Sequence, residues 1–191
     1  MAHSVFYRLV QLPWIAFVAY WLINSFKTRT TVRKESALSR YGVMLLLASG
    51  YALLFSERAR IDGLGDSLVP RSSASAILGV VLTWLGIALA IWARYHLGQY
   101  WSARVTIKED HQLIRSGPYA QLRHPIYSGI LLATIGTALT IGEWGCLLGI
   151  VLVLTGFSLK AMKEENMLAE QFGGAFEEHR KHTGFLIPRF R

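Results

Sequence analysis

The apolar positions of this chain fall into five long runs, at about 5–26, 41–56, 75–93, 126–141 and 144–159, separated by polar stretches. None alternates with the two-residue period of a strand, and all are too long for one, so the pattern predicts an all-α protein. The first three runs approach the roughly 20 residues a helix needs to cross a bilayer. The last two, of about 16 residues, reach about 24 Å each at 1.5 Å per residue. Only Gly142 and Glu143 separate them, which predicts a tight, short helical hairpin that thins the membrane locally. The expectation is an integral membrane bundle of five helices. Residues 1–93 form an N-terminal part with helices 1–3, and 94–191 form a second part with a polar loop, helices 4 and 5 and a C-terminal cap.

Beyond residue 160 the chain is polar but keeps a helical period. Leu168, Phe172 and Phe176 recur every four positions, and Gly173-Gly174 predicts a break. This segment either lies on the membrane as an amphipathic helix or folds back over residues 94–125 to close a pocket.

Charge sets the expected orientation. The 20 Lys and Arg against 12 Asp and Glu give a net charge of +8. In a chain that is 52% hydrophobic and only 17% charged, this points to loops facing an anionic leaflet rather than to nucleic acid. Five spans place residues 27–40, 94–124 and 160–191 on one side, with all but Arg8, Arg58, Arg60 and Arg71 of the basic residues. The positive-inside rule makes that side cytoplasmic, giving N-out and C-in in a prokaryotic inner membrane. The apolar first run is followed by no small-residue cleavage site before Asn24, so no cleavable signal is expected.

Several chemistries are not supported. The single Cys146 excludes an intramolecular disulfide and a cysteine zinc site, and its apolar surroundings read as a small hydrophobe. Gly63 and Gly65 lack the third glycine and preceding strand of a dinucleotide loop, and there is no P-loop or H-E-x-x-H. His179 and His182 could share one helix face, but no carboxylate partner pattern supports a metal there; they read as a solvated face, so no metal is expected.

The chemistry-bearing region is HQLIRSGPYAQLRHPIY, residues 111–127. Gly117-Pro118 is a turn signal, and Pro125 opens the fourth helix where its missing N–H costs nothing. The helix N-terminus offers an anion site, Tyr119 and Tyr127 offer aromatic faces to a cation, and Arg123 and His124 add donors. An interfacial belt of Tyr, Arg and His would look the same. A second cluster, Lys160, Lys163, Glu164 and Glu165, lies at the same leaflet. Lys160 and Glu164 share a helix face, as a surface ion pair also would.

From about Trp101 to Pro188, nearly half the chain, the sequence resembles the isoprenylcysteine carboxyl methyltransferase family and its prokaryotic relatives. The matching elements are WSA at 101–103, the 111–127 stretch with G-P-Y and R-H-P-x-Y, KEE at 163–165, FGGAF at 172–176 and TGFLIP at 183–188. The resemblance implies a membrane enzyme that uses S-adenosyl-L-methionine, leaving S-adenosyl-L-homocysteine, and methylates a lipophilic or prenyl-like acceptor at the cytoplasmic face, with membrane lipids around it. By motif position it implies cofactor contacts at His111, Gln112, Leu113, Ile114, Tyr119, His124, Pro125, Ile126, Tyr127 and Glu164. The family's substrate-facing arginine falls on Lys160, which keeps the charge without the bidentate fork. Lys160 and Arg123 are the expected catalytic residues, and Lys160 with Arg104 the expected substrate contacts.

The acceptor expected from the family is a carboxylate, and a phospholipid or amine N-methylation is the alternative. An NADPH-dependent sterol-type reductase carries a similar R-x-P-x-Y segment, but here His124 precedes the proline and Ser128-Gly129 follow Tyr127. A non-enzymatic carrier should show an internal repeat or ionisable residues at mid-bilayer depth, and the chain shows neither.

Overall fold

A computed structural model describes residues 2–24, 31–34, 37–56, 63–69, 72–98, 101, 106–108 and 113–189. Residues 2–4, 31–34, 37–39 and 106–108 are described through their backbone alone. Six helices follow in order: α1 (Ala2–Asn24), α2 (Ala37–Phe55), α3 (Ser73–Leu97), α4 (Pro125–Ile141), α5 (Trp144–Phe172) and α6 (Gly174–His182). Helices α1, α3 and α5 are long and apolar enough to cross a membrane, and α2 and α4 carry shorter apolar stretches. The apolar runs thus became the helices expected of them.

Two features depart from the expected all-α bundle with a short hairpin. β1 (Thr31–Lys34) and β2 (Thr106–Lys108) pair antiparallel, Arg33 opposite Ile107 and Lys34 opposite Thr106. The helical hairpin keeps its two-residue turn at Gly142 and Glu143, but only one of its helices is short and the two are not closely packed. α5 has 29 residues, about 43 Å at 1.5 Å per residue. It continues through Lys160 as one helix because its backbone bonds do not depend on whether its side chains face lipid or water. α4, at 17 residues, is the short member. The two touch each other less than either touches its main neighbour: α4 packs on α3, and α5 on α2.

Glycine explains that pairing. Gly79 and Gly86 on α3 face Gly136 and Gly129 on α4. A Cβ on Gly129 or Gly136 would come within 2.5 Å of the carbonyl oxygen of Gly86 or Gly79. Both pairs are seven residues apart, two turns of helix, so the small residues line one seam where the antiparallel backbones meet. On α5, Gly149 and Gly156 receive Leu54 and Leu47 of α2. Buried Thr83, Thr134 and Thr137 return their hydroxyls to carbonyls four residues back at 2.8 Å, so no hydroxyl in the seam is left dry. Trp14 of α1 donates its indole N–H to Thr137 at 2.9 Å, fixing α1 against the same seam.

At one end of the bundle, Gly142 (φ +74°) closes α4 in the left-handed conformation, and Glu143 caps α5. Residues 64–69 cover this turn through Leu68 N–H to Gly142 O at 2.7 Å and Gly145 N–H to Leu64 O at 2.8 Å. At the other end the close of α3, the start of α4 and the polar length of α5 come together. Cys146 is buried, as its apolar setting implied.

Candidate functional site

Pro125 sets the first position of α4, so His124 and Tyr127, three residues apart, lie on one face of its opening turn. That face meets the polar length of α5, where Lys160 and Glu164 are one turn apart. The Tyr127 hydroxyl donates to Glu164 Oε1 at 2.6 Å. His124 presents Nδ1 to Glu164 Oε2 at 3.5 Å and Nε2 to Glu165 Oε1 at 3.2 Å. Arg123 donates Nε–H to the same Glu165 oxygen at 2.5 Å. Burial by itself pushes the His124 imidazole down, but the hydrogen bonds and charges of Glu164 and Glu165 outweigh it and hold it above its ordinary value. With an acid at each nitrogen, the protonated ring is the form that satisfies both.

An aromatic column stands beside the ions. The His124 ring stacks on Tyr127 at 5.6 Å, and Tyr127 stacks on Phe157 at 4.9 Å. The Lys160 ammonium lies 5.4 Å from the centre of the Tyr127 ring. Tyr119, Ile126 and Tyr127 belong to one buried cluster, with Ile114 packed against it. Tyr119 sits in the 3-10 turn Gly117–Ala120. Gly117 (φ +57°) has the His96 ring where a Cβ would be, which explains the glycine twice over. Burial and the neighbouring Glu164 carboxylate push the Tyr119 phenol up.

The C-terminal segment closes over this face rather than lying apart on a membrane surface. α5 ends at Gly173 (φ +50°), as the Gly-Gly pair predicted, and α6 turns back. Arg123 Nη1 donates to Thr183 O at 2.6 Å and Arg180 O at 3.3 Å. Gly184 and residues 121–123 exchange backbone bonds, Gly184 N–H to Gln121 O and Arg123 N–H to Gly184 O, both 2.9 Å. Ser128 donates its hydroxyl to Leu186 O at 2.8 Å. Phe185 meets the edge of His124 at 5.3 Å. Arg115 holds α6 through Ala175 O at 2.7 Å.

The structure therefore brings together Arg123, His124, Tyr127, Lys160 and Glu164. Pro125 and Ile126 are buried at the helix start, and Leu113 is half-buried beside Ile114. Arg104, His111 and Gln112 lie outside the described residues. The sequence reading placed Glu165, the acid that binds both His124 and Arg123, in the same cluster as Glu164 but gave it no role of its own. It also read His179 as solvated, whereas His179 is buried and only His182 is exposed, against Glu178 at 2.8 Å. α6 packs one face on the site, and His179 is on that face.

The donor set fits a zwitterionic sulfonium cofactor. The site juxtaposes a largely enclosed carboxylate, Glu164, aromatic faces for a cation, and the N-terminus of α4, whose N-cap residue His124 makes no side-chain cap hydrogen bond. No group of three or more metal-binding side chains occurs among the described residues.

The sequence profile of the isoprenylcysteine carboxyl methyltransferase family matches residues 78–170. A protein-S-isoprenylcysteine O-methyltransferase of Schizosaccharomyces pombe is 36% identical over 107 residues, covering 54% of this chain and 45% of the yeast protein. One of Saccharomyces cerevisiae is 28% identical over 186 residues, covering 94% of this chain and 77% of that protein. The solved structure of a eukaryotic intramembrane Ras methyltransferase matches with a TM-score of 0.51 at 22% identity, over 82% of this chain and 54% of that one. The fold is shared, and this chain spans about half of the solved one.

Proposed function

The chain belongs to the isoprenylcysteine carboxyl methyltransferase family, and on that premise we propose that it methylates a lipid-like acceptor with S-adenosylmethionine, at the bundle end where α4 opens against α5. The observation that carries the proposal is the bond from Tyr127 to Glu164. It places a carboxylate, two stacked aromatic rings and the Lys160 ammonium at one point, on helices whose remaining lengths are largely apolar. When bound, adenosylmethionine supplies an electrophilic methyl on a sulfonium.

The residues divide the work. Glu164 holds the ammonium of the cofactor, and Tyr127 offers a π-face to positive charge while orienting Glu164. Tyr119, Ile126, Leu113 and Ile114 wall the site. Pro125 sets the exit direction of α4, and His111, Gln112 and Arg104 carry the expectations taken from the family. His124, with an acid at each nitrogen, is a poor receiver for a third carboxylate and instead positions Glu164 and Glu165. Arg123 acts through Glu165 and the C-terminal segment, so it is a positioning residue. Lys160 steers an anionic acceptor group. A carboxylate acceptor is ionised at neutral pH and needs no base. Glu164, hydrogen-bonded to Tyr127 and close to His124, also provides a proton acceptor for an amine, which keeps a phospholipid N-methylation as the second reading.

The cofactor enters from the polar side, and residues 183–188 close the site to water behind it. The acceptor comes from the bilayer. Residues 94–191 form the catalytic region, and its polar stretches 94–124 and 160–191 face the cytoplasm of a prokaryotic inner membrane, with the N-terminus outside. Calorimetry on the detergent-solubilised protein tests the cofactor class. Adenosylhomocysteine is expected to bind and NADPH not to bind; the reverse pattern overturns the reading in favour of a reductase.

A further inference from the structure

Arg94, in the last turn of α3, is 3% exposed. Its Nη1 donates to Gly98 O at 2.8 Å and its Nη2 to Asn24 O at 3.0 Å, tying the ends of α3 and α1 together. Its face lies 4.4 Å from the Trp101 ring, which meets Trp21 in an edge-on contact at 6.0 Å. Its Nε is buried with no hydrogen-bond partner. Among the described residues no acid pairs with it. A guanidinium taken out of water without a counter-charge is costly, and the two backbone carbonyls satisfy some of its donors and none of its charge.

The location gives this charge a purpose. Buried Tyr119 lies within electrostatic reach of both Arg94 and Glu164. A buried cation and a carboxylate thus flank one phenol at the same end of the bundle. The other candidate for receiving an anion, His124, is already shared between two acids. We propose that Arg94 is the carboxylate-binding residue of the site, with Nε–H as the open donor. The proposal rests on the methyltransferase reading, which puts two carboxylates within this site: that of the methyl donor and that of a prenylcysteine-type acceptor.

The test uses two matched pairs of probes, measured by calorimetry on the full chain in detergent. The first pair is adenosylhomocysteine and its decarboxylated analogue. The second is an N-acetyl S-prenylcysteine and its carboxamide. Wild type is expected to prefer the acid at least tenfold in one pair, and that pair identifies the source. In Arg94→Gln the preference in that pair should collapse to within about threefold, while the partner that lacks the carboxylate binds as in wild type. Arg94→Lys, which keeps charge but has no Nε, should retain an intermediate preference. The wild-type comparison stands even where neither variant folds: no acid preference in either pair overturns the proposal. So does a full preference retained in a folded Arg94→Gln. Wild type that binds neither member of either pair overturns the methyltransferase reading itself, and the Arg94 proposal with it.

Discussion

The Tyr127 hydroxyl and Glu164 Oε1 are 2.6 Å apart, and this bond is where the opening turn of α4 is fastened to the polar extension of α5. Both groups lie beside Lys160 and His124, so removing either changes charge balance as well as a contact. Leaving a desolvated charge without its partner costs about 2–5 kcal/mol. Glu164→Ala is therefore expected to weaken adenosylhomocysteine binding at least tenfold. Tyr127→Phe, which keeps the stacked ring on Phe157, should weaken it less than Tyr127→Ala. Equal losses for Phe and Ala, measured by calorimetry, would show that the ring contributes nothing.

His124 predicts a pH dependence of stability. Its folded value lies above the ordinary imidazole value of about 6.5 because Glu164 and Glu165 favour the charged ring. The stabilisation is then fully present below the unfolded value and is lost as pH rises through the folded value. The thermal midpoint of the solubilised protein should fall as pH rises through that window, and the fall should be smaller in His124→Gln. An equal slope in both proteins would assign the transition to another group.

Much of this site is readable in the chain because its chemistry is local. R-H-P-x-Y places His124 and Tyr127 on one helical turn, and K-x-x-x-E places Lys160 and Glu164 on another. What brings the two turns together is not local. The seven-residue spacing of Gly79 and Gly86, and of Gly129 and Gly136, is visible in the sequence, but only helix pairing gives it meaning, and the α3–α4 seam was not expected. The length of α5 was hidden because hydropathy ends at Lys160 while backbone bonding does not. Arg94 looked like one more loop cation, since nothing in its neighbours announces burial.

The seam itself predicts a steric result. Gly129→Ala puts a Cβ within 2.5 Å of the Gly86 carbonyl oxygen. Overpacking of this kind costs about 1–3 kcal/mol, and here the obstacle is backbone, so the upper end applies. Gly42→Ala, with nothing within 4 Å of its added methyl, should leave the thermal midpoint unchanged or raise it. Equal midpoints for the two variants would argue against the close α3–α4 contact.

Arg123 predicts how the C-terminal segment is held. Its guanidinium spans Glu165 and the carbonyls of Thr183 and Arg180. Arg123→Ala should speed trypsin cleavage at Arg180, Lys181 and Arg189 several-fold and weaken cofactor binding, with Arg123→Lys between it and wild type. Unchanged cleavage would show that the backbone pairing of Gly184 with residues 121–123 suffices alone.

The central claim is methyl transfer at the Tyr127–Glu164 face to an acceptor that resides in the bilayer. The most direct measurement incubates membranes containing the chain with methyl-labelled adenosylmethionine, adding an S-prenylcysteine acid or phosphatidylethanolamine, and identifies the labelled product by mass spectrometry. Label should appear in a lipid-soluble product with wild type and be lost with Glu164→Ala. Label absent from every lipid-soluble fraction, or appearing equally with Glu164→Ala, would contradict the account.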